Sequence, residues 1–431
     1  MQGIDTALFY WIGNGKRRHK KETTMNNPIQ IVNVDFVKQA NGALVYRLID
    51  RHGPISRIQV SEMSGLAAAS VTKITRNLLR FGLVKEMEPQ ESTGGRRAIS
   101  IVAEREKFAT VLIRLGRTSV TVATMNLATE VLFKQKYQLQ IKQSLAQLEH
   151  YLLDLIKEAV AKYLQSGGQI IACGITVPGF VDQKTNTIHF MPQLNLKKPW
   201  KLAEQIQQAI NLPVFVGHDV RALALAESYF GKTKTCNDSI LLRIHRGVAA
   251  GIILNKELFS GSKNNLGEIG HTQVDPLGRP CKCGHFGCLE TLVSNPAIED
   301  TVRQLLEQGH HSEWVSLERC DLDSICRAVN QGDPLLVELF QKIGRHIGQV
   351  LAVCINVLNP EKIILSGQIT QAQKILFPAI EKALQAMALA EFVKHTALEA
   401  SELEHDDIIG AFALIKRALW NGELLVQLLE E

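Results

Sequence analysis

Between residues 267 and 290 the chain reads G-E-I-G-H-T-Q-V-D-P-L-G-R-P-C-K-C-G-H-F-G-C-L-E, which gathers the His271 imidazole and three thiols within eighteen residues. His271, Cys281, Cys283 and Cys288 offer the one nitrogen and three sulfurs that a tetrahedral zinc ion accepts. Gly278, Gly284 and Gly287 let a short loop turn around it. Four protein ligands close the shell and leave no position for a water nucleophile, so the expectation is one structural Zn2+ per chain. The bland alternative is a set of ordinary reduced cysteines, but three of the eight Cys fall in one eight-residue window. The other five, Cys173, Cys236, Cys320, Cys326 and Cys354, have no pairing spacing and suit a reducing cytoplasm.

A second group of chemistry-bearing residues lies near the N-terminus. The spacing of Phe36, Val37, Leu44, Val45, Leu48 and Ile49 predicts a helix over 35–50, ended by Gly53-Pro54. Ser56 can cap a short helix over 57–63, Gly65 makes a turn, and a third helix runs from Ala68 or Ala69 through Leu79 to Gly82. Two short helices around a glycine turn are the helix-turn-helix pattern. Opposite its apolar stripe the third helix carries Ser70, Thr72, Lys73, Arg76 and Asn77, groups suited to base edges and phosphates. A strand over 83–87, the basic turn Ser92-Thr93-Gly94-Gly95-Arg96-Arg97 and a return strand over 98–102 read as a wing, with Arg96 and Arg97 placed for a minor groove. Taken one at a time, each polar position on that helix could be an ordinary solvated face.

Charge agrees with this division. Up to Ala103 there are 15 Lys+Arg against 8 Asp+Glu, whereas the remainder holds 33 against 35. Residues 25–103 alone keep 10 against 6, an excess that favours a polyanionic partner. Residues 1–29 read as a flexible leader in which Met25 is an alternative start. Its apolar residues 7–12 precede the basic cluster, the reverse of a secretory signal. The apolar runs around Ile240 and Leu351 are broken by Arg243, His245, Arg246 or Asn356 before they reach spanning length. A soluble cytoplasmic protein follows.

Beyond Arg105, strand-like stretches at 110–113, 120–126 and 170–177 alternate with a helix over 144–164. Strands at 239–244, 250–254 and 362–365, with helices at 345–356 and 409–420, repeat the theme in a second lobe. The expected division is 30–103 for a winged helix-turn-helix, 104–218 for one lobe with 405–431 as its candidate completion, and 219–404 for a second lobe carrying the zinc loop. A tail helix over 422–431, with Leu424, Leu425, Val426, Leu428 and Leu429, can dock on a neighbour or pack on its own chain.

With Ile175-Thr176-Val177-Pro178-Gly179-Phe180-Val181-Asp182, His218-Asp219, Gly267-Glu268-Ile269-Gly270-His271 and the Cys cluster, residues 105–420 resemble the ROK family of repressors and sugar kinases. Together with the winged helix, the chain looks most like the family's glucose repressors. The resemblance implies a two-lobed, actin-like (ribonuclease H-like) fold and a homodimer or homotetramer on double-stranded operator DNA. It further implies, as inducing partner, the cytoplasmic domain of a glucose phosphotransferase transporter.

Family kinases hold ATP with an Asp-x-Gly-Gly-Thr turn, a Gly-Thr-Gly turn and a double glycine. Here those places read Arg114-Leu115-Gly116-Arg117-Thr118, His245-Arg246-Gly247 and Ser366-Gly367-Gln368, which argues against phosphotransfer. The sugar side is kept. The resemblance makes Asp219 a vestigial general base and Glu268, His271 and Glu290 ligands of sugar hydroxyls, though Asp219 could equally cap the helix that follows it and Glu290 could serve the zinc loop. The rivals to a protein-induced repressor are a repressor that binds a sugar or sugar phosphate directly and an active hexokinase. The wing departs from the family's usual Gly-Arg-Pro, because Arg97 stands in place of proline.

Overall fold

The computed structural model describes residues 34–87, 99–139, 144–165, 167–192, 194, 196–261, 266–403 and 407–430. The expected leader and the wing tip with Arg96 and Arg97 lie outside the described residues.

The N-terminal module is built on α1 (Val34–His52), α2 (Arg57–Ser64) and α3 (Ala68–Arg80). Ser56 starts α2 with a reciprocal cap: its hydroxyl accepts Gln59 N at 3.2 Å while Gln59 Oε1 accepts Ser56 N at 2.9 Å. Gly65 ends α2 at φ 69°, a conformation that suits glycine. Val45, Tyr46, Ile49, Val60, Val71 and Leu78 are fully buried between the helices. A three-stranded sheet closes the module, with β3 (Ser100–Ala103) central between β1 (Ile55–Ser56) and β2 (Val84–Glu86). Arg57 fixes the angle of α3, donating to Thr75 Oγ1 at 3.2 Å and pairing with Glu86 at 2.7 Å.

Two five-stranded sheets follow, and they share one plan. In the first, β4 (Phe108–Leu115), β5 (Ser119–Asn126) and β6 (Val131–Gln138) run antiparallel. After α4 (Leu145–Gln165), β7 (Gln169–Val177) pairs parallel to β4; then come the hairpin β8 (Phe180–Asp182) and β9 (Thr187–Phe190), α5 (Leu202–Ile210), and β10 (Val214–His218) parallel to β7. The order is β10-β7-β4-β5-β6. After α6 (Asp219–Phe230), the second sheet repeats it with β11 (Ser239–Ile244), β12 (Val248–Leu254) and β13 (Glu257–Leu258). The helices α7 (Glu290–Val293), α8 (Asn295–Glu307), α9 (Leu322–Asn330) and α10 (Pro334–Leu358) then lead to β14 (Lys362–Ser366). Next come α11 (Gln373–Met387), α12 (Ala390–Val393) and β15 (Ala397–Ala400). Its order, β15-β14-β11-β12-β13, matches the first sheet strand for strand.

Two helices lie between the sheets. α6 and α13 (Ile409–Trp420) pack on each other, α6 against β12 and α13 against β4, β7 and β10. A Cβ on Gly251 would approach Ala224 Cβ to 2.4 Å, and one on Gly174 would meet Ala411 O at 2.4 Å, so bare backbone is needed at both crossings. One apolar cluster runs without a break from α1 through α6 and α13 into α14 (Glu423–Glu430). Leu424 and Leu425 are buried in it, so the tail helix packs on its own chain and does not offer these leucines to a neighbour. No helix among the described residues is long and apolar enough to cross a membrane.

Candidate functional site

The 267–290 segment lies against β12. Gly267 accepts Ala250 N through its carbonyl at 2.7 Å, and side chains at Gly267 and Gly270 would strike Ala250 O and Val248 O at 1.9 and 2.3 Å. These two glycines of the Gly-Glu-Ile-Gly-His motif therefore bring the following His271 close to the sheet. From there the chain folds back on itself: Leu289 N donates to Thr272 O at 2.9 Å, Val274 N to Gly287 O at 2.8 Å and Cys281 N to His285 O at 2.7 Å. Gly287, at φ 61°, allows the fold, since a Cβ there would sit 1.4 Å from Asp275 O.

This hairpin brings His271, Cys281, Cys283 and Cys288 together with their ligand atoms within 4.8 Å of one another. Cys281 Sγ lies 3.5 Å from His271 Nδ1, and Cys283 Sγ 3.6 Å from Cys288 Sγ. A tetrahedron with metal–sulfur bonds of about 2.3 Å and a metal–nitrogen bond of about 2.0 Å has edges of roughly 3.5–3.8 Å, so this set of donors fits one metal ion. His285, which sequence reasoning passed over, places Nδ1 3.4 Å from Cys283 Sγ and can donate to a thiolate there.

Next to this hairpin stand the residues expected to meet a sugar. Glu268 is raised above the ordinary carboxyl range, first by burial and further by the nearby charges of Glu290 and Asp219, against the opposing pull of His271 and Arg221. The three carboxylates and His271 thus share one neighbourhood. Glu290 is partly engaged already: its Oε2 accepts Val248 N at 2.9 Å and braces the turn between β11 and β12. Asp219 is the first residue of α6 and its carboxylate accepts Val220 N, at 2.9 Å; the residue before it, His218, holds the cap position without a side-chain cap, so Asp219 does not cap the helix as expected.

Asp219 also faces a guanidinium and an imidazole, the latter, His218, favoured in its neutral form by burial. Arg243 Nη1 lies 3.7 Å from one carboxylate oxygen and His218 Nε2 3.7 Å from the other. Burial by itself would raise this carboxyl, yet His218, Arg243 and Arg114 together hold it below the ordinary range. Arg114, in the first degenerate turn, reaches the same place from β4. Around Arg114, Arg243, Asp219 and Asp407 only about 20 Å³ stays open, room for about one water. Arg114 and Arg243 thus bring two guanidinium groups to one carboxylate.

On the N-terminal module, Ser70, Thr72, Lys73, Arg76 and Asn77 are all exposed on one face of α3, while Val71, Thr75 and Leu78 hold its other face to the core. Thr72 spends its hydroxyl hydrogen on Ala68 O at 2.8 Å, leaving its oxygen as an acceptor.

The ROK family pattern matches residues 110–418. The chain is 49% identical over 407 residues to the DNA-binding transcriptional dual regulator NagC of Escherichia coli K12, covering 94% of this chain and 100% of that one. The N-acetylglucosamine repressor of Escherichia coli O6:H1 matches equally. Identity to the transcriptional repressor Mlc of Escherichia coli K12 is 34%, over 92% of this chain and 98% of Mlc. Among solved structures, a ROK family transcriptional regulator described as a homologue of Mlc superposes with a TM-score of 0.87 at 38% identity, covering 92% of this chain and all of that one. A ROK family glucokinase from Streptomyces griseus, solved with glucose and AMPPNP, gives 0.59 at 25% identity over 70% of this chain and 97% of the glucokinase.

Proposed function

We propose that this chain, which belongs to the ROK family, is a DNA-binding transcriptional repressor of sugar-uptake genes whose kinase-like body senses sugar status without catalysing phosphotransfer. The observation that carries this is the pairing of two features in one molecule. A helix-turn-helix presents five polar or cationic side chains on an open face, and in the body Arg114 stands where family kinases carry the Asp of their ATP turn. Full-length identity of 49% to a DNA-binding regulator supports it.

In this proposal α3 enters the major groove with Ser70, Thr72, Lys73, Arg76 and Asn77, while Arg96 and Arg97 of the wing reach the minor groove. A homodimer or homotetramer would place two such modules on a palindromic operator. His271, Cys281, Cys283 and Cys288 would hold one Zn2+, which supplies a fixed crosslink to the hairpin and no open coordination position. In this proposal Asp219 is a vestigial base, whose carboxylate His218, Arg243 and Arg114 hold below the ordinary range against the effect of burial.

For the effector, likeness to glucose repressors pointed to the cytoplasmic domain of a glucose phosphotransferase transporter. The higher identity to the N-acetylglucosamine repressor favours a second reading, direct binding of a sugar or sugar phosphate by Glu268, His271, Glu290 and Asp219. His271 Nδ1 belongs to the metal cluster, which leaves Nε2 for a hydroxyl. A gel shift on the protein's own promoter regions tests the function: retardation at moderate salt is expected, and its absence at every moderate salt concentration contradicts repression. Adding N-acetylglucosamine 6-phosphate or the purified transporter domain to the shifted complex then separates the two effectors.

A further inference from the structure

A cleft of about 370 Å³ opens where the N-terminal module meets the body, away from the metal hairpin and from the Asp219 carboxylate. Five basic side chains line it, namely Arg47, Arg51 and His52 from α1, Lys256 from the turn between β12 and β13, and Arg417 from α13. Glu257 is the one carboxylate among the lining residues. Such a balance is unfavourable without a counter-ion. Arg47 and Arg51 are like charges one helical turn apart, an arrangement that weakens a helix. Partial burial, followed by the charge of Arg47, lowers Arg51 from the ordinary guanidinium value.

Backbone geometry adds an independent sign. Asn255 and Lys256 form the two-residue turn of the β12–β13 hairpin with φ of 53° and 65°. Asparagine tolerates that region, but lysine adopts it at a cost where glycine would be free, and strain of this kind gathers at ligand sites. The turn is pinned by Lys256 N donating to Asn237 O at 2.8 Å, which holds the ammonium stem at the cleft's rim. The Arg51 guanidinium lies 4.3 Å from the centre of the Trp420 ring, and Trp420 packs on Tyr229 at 4.7 Å, giving the cleft an aromatic wall. Arg417 is aimed by a 2.9 Å hydrogen bond from Nη1 to Gln183 Oε1.

We propose that this cleft is a binding site for a small phosphorylated metabolite, whose phosphate is held jointly by cations of the DNA-binding module and of the body. A dianionic phosphate offers acceptors to Arg47 and Arg51 from one side and to Lys256 and Arg417 from the other. Its occupancy therefore couples to how the module is seated, because the site exists only while both sides are in place. This site does not depend on the sugar-contacting role suggested for Glu268 and His271, nor on operator recognition.

The test uses the full-length protein, with calorimetry and Trp420 fluorescence as readouts and with inorganic phosphate, glucose 6-phosphate and glucose as probes. Saturable binding of glucose 6-phosphate is expected at millimolar concentration or below, with Trp420 emission changing in step. The double variant Arg47→Gln/Lys256→Gln should weaken it by at least about tenfold. Circular dichroism and metal content should stay unchanged in that variant. Lys374→Gln, on α11 and outside this cleft, should leave the affinity as it is. The proposal is overturned by an absence of binding of either phosphate compound at millimolar concentration, by an affinity the double variant does not alter, or by an affinity that Lys374→Gln lowers as much as the double variant does. Lys256→Gly separates folding from ligand contact: it relieves the left-handed strain, so it should raise thermal stability while lowering phosphate affinity. Unchanged affinity in that variant also counts against the site.

Discussion

Lys416→Met tests the joint between the DNA-binding module and the body. Asp50, on α1, has no exposed side-chain surface, and its carboxylate takes Lys416 Nζ at 2.6 Å, Arg105 Nε at 3.0 Å and Trp420 Nε1 at 2.7 Å. Burial would raise this carboxyl, but Lys416 and Arg105 outweigh it and hold Asp50 below the ordinary carboxylate range. Lys416 is held below the ordinary lysine value because its own burial outweighs the pull of Asp50. The pair therefore bears a desolvation cost that their mutual contact, together with Arg105 and Trp420 on Asp50, offsets.

Removing one member of a buried pair costs about 3–5 kcal/mol, since the survivor is left uncompensated. Arg105 and Trp420 remain on Asp50, so the lower end, about 3 kcal/mol, applies. For a unit of 150–250 residues that is a fall of roughly 6–12 °C in melting temperature. The double variant Asp50→Leu/Lys416→Met removes both charges and should recover to within about 1 kcal/mol of wild type, Trp420 losing one acceptor. Urea and thermal unfolding of the three proteins at pH 7 decide the matter. A single-variant loss below about 1 kcal/mol, the range of an exposed pair, refutes the reasoning. So does a double variant as unstable as the single. The pH dependence has a defined sign. A carboxyl lowered on folding contributes stability above its unfolded value of about 3.9 and loses it as pH falls through the lower folded value. The wild type's lead over Asp50→Leu should hold from neutral pH to about pH 5 and shrink below about pH 4.

Cys283→Ser should remove zinc from the purified protein, measured as about one ion per chain before and none after, while Cys236→Ser keeps it; a wild type without zinc ends the metal assignment. In the same hairpin Gly287→Ala, with a Cβ 1.4 Å from Asp275 O, should also abolish metal binding, whereas Gly284→Ala, at φ 94° but with nothing within 4 Å, should strain the turn and weaken metal binding less. Lys73→Ala and Arg76→Ala should each weaken operator binding, and whichever of them contacts phosphate should make the salt slope shallower by about 0.9. Arg96→Ala should weaken it more than Arg97→Ala, and equal losses at several salt concentrations would undo that ranking. No ATP-dependent phosphorylation of glucose is expected in a coupled assay; turnover that Asp219→Asn abolishes would restore the enzyme reading.

The helix-turn-helix was legible because its signals are local. Ser56 with Gln59, Gly65 at the turn and the stripe Val71, Thr75 and Leu78 lie within two dozen residues, and each has one conformational meaning. The metal cluster was legible for the same reason. The Asp50 joint was not, since its partners lie 55 and 370 residues away and Asp50 in sequence looks like any polar residue near a helix end. Strand β6, Val131–Gln138, escaped because six of its eight side chains are exposed, so an edge strand leaves little alternation to read. The tail leucines gave a genuine ambiguity: an apolar helix face has the same pattern whether it meets another chain or, as Leu424 and Leu425 do, its own.

Ion pairs supplied by the chain itself tie the two matched sheets together. Arg114 from β4 and Arg243 from β11 converge on Asp219 at the head of α6, so both sheets are tied to one carboxylate. Asp407, just before α13, takes Thr121 Oγ1 from β5 at 2.7 Å and Lys134 Nζ from β6 at 2.7 Å. These pairs satisfy the part-buried charges of the two sheets from within the chain. In the repressor proposed above, an effector can shift repression only by binding unequally to two placements of the DNA-binding module.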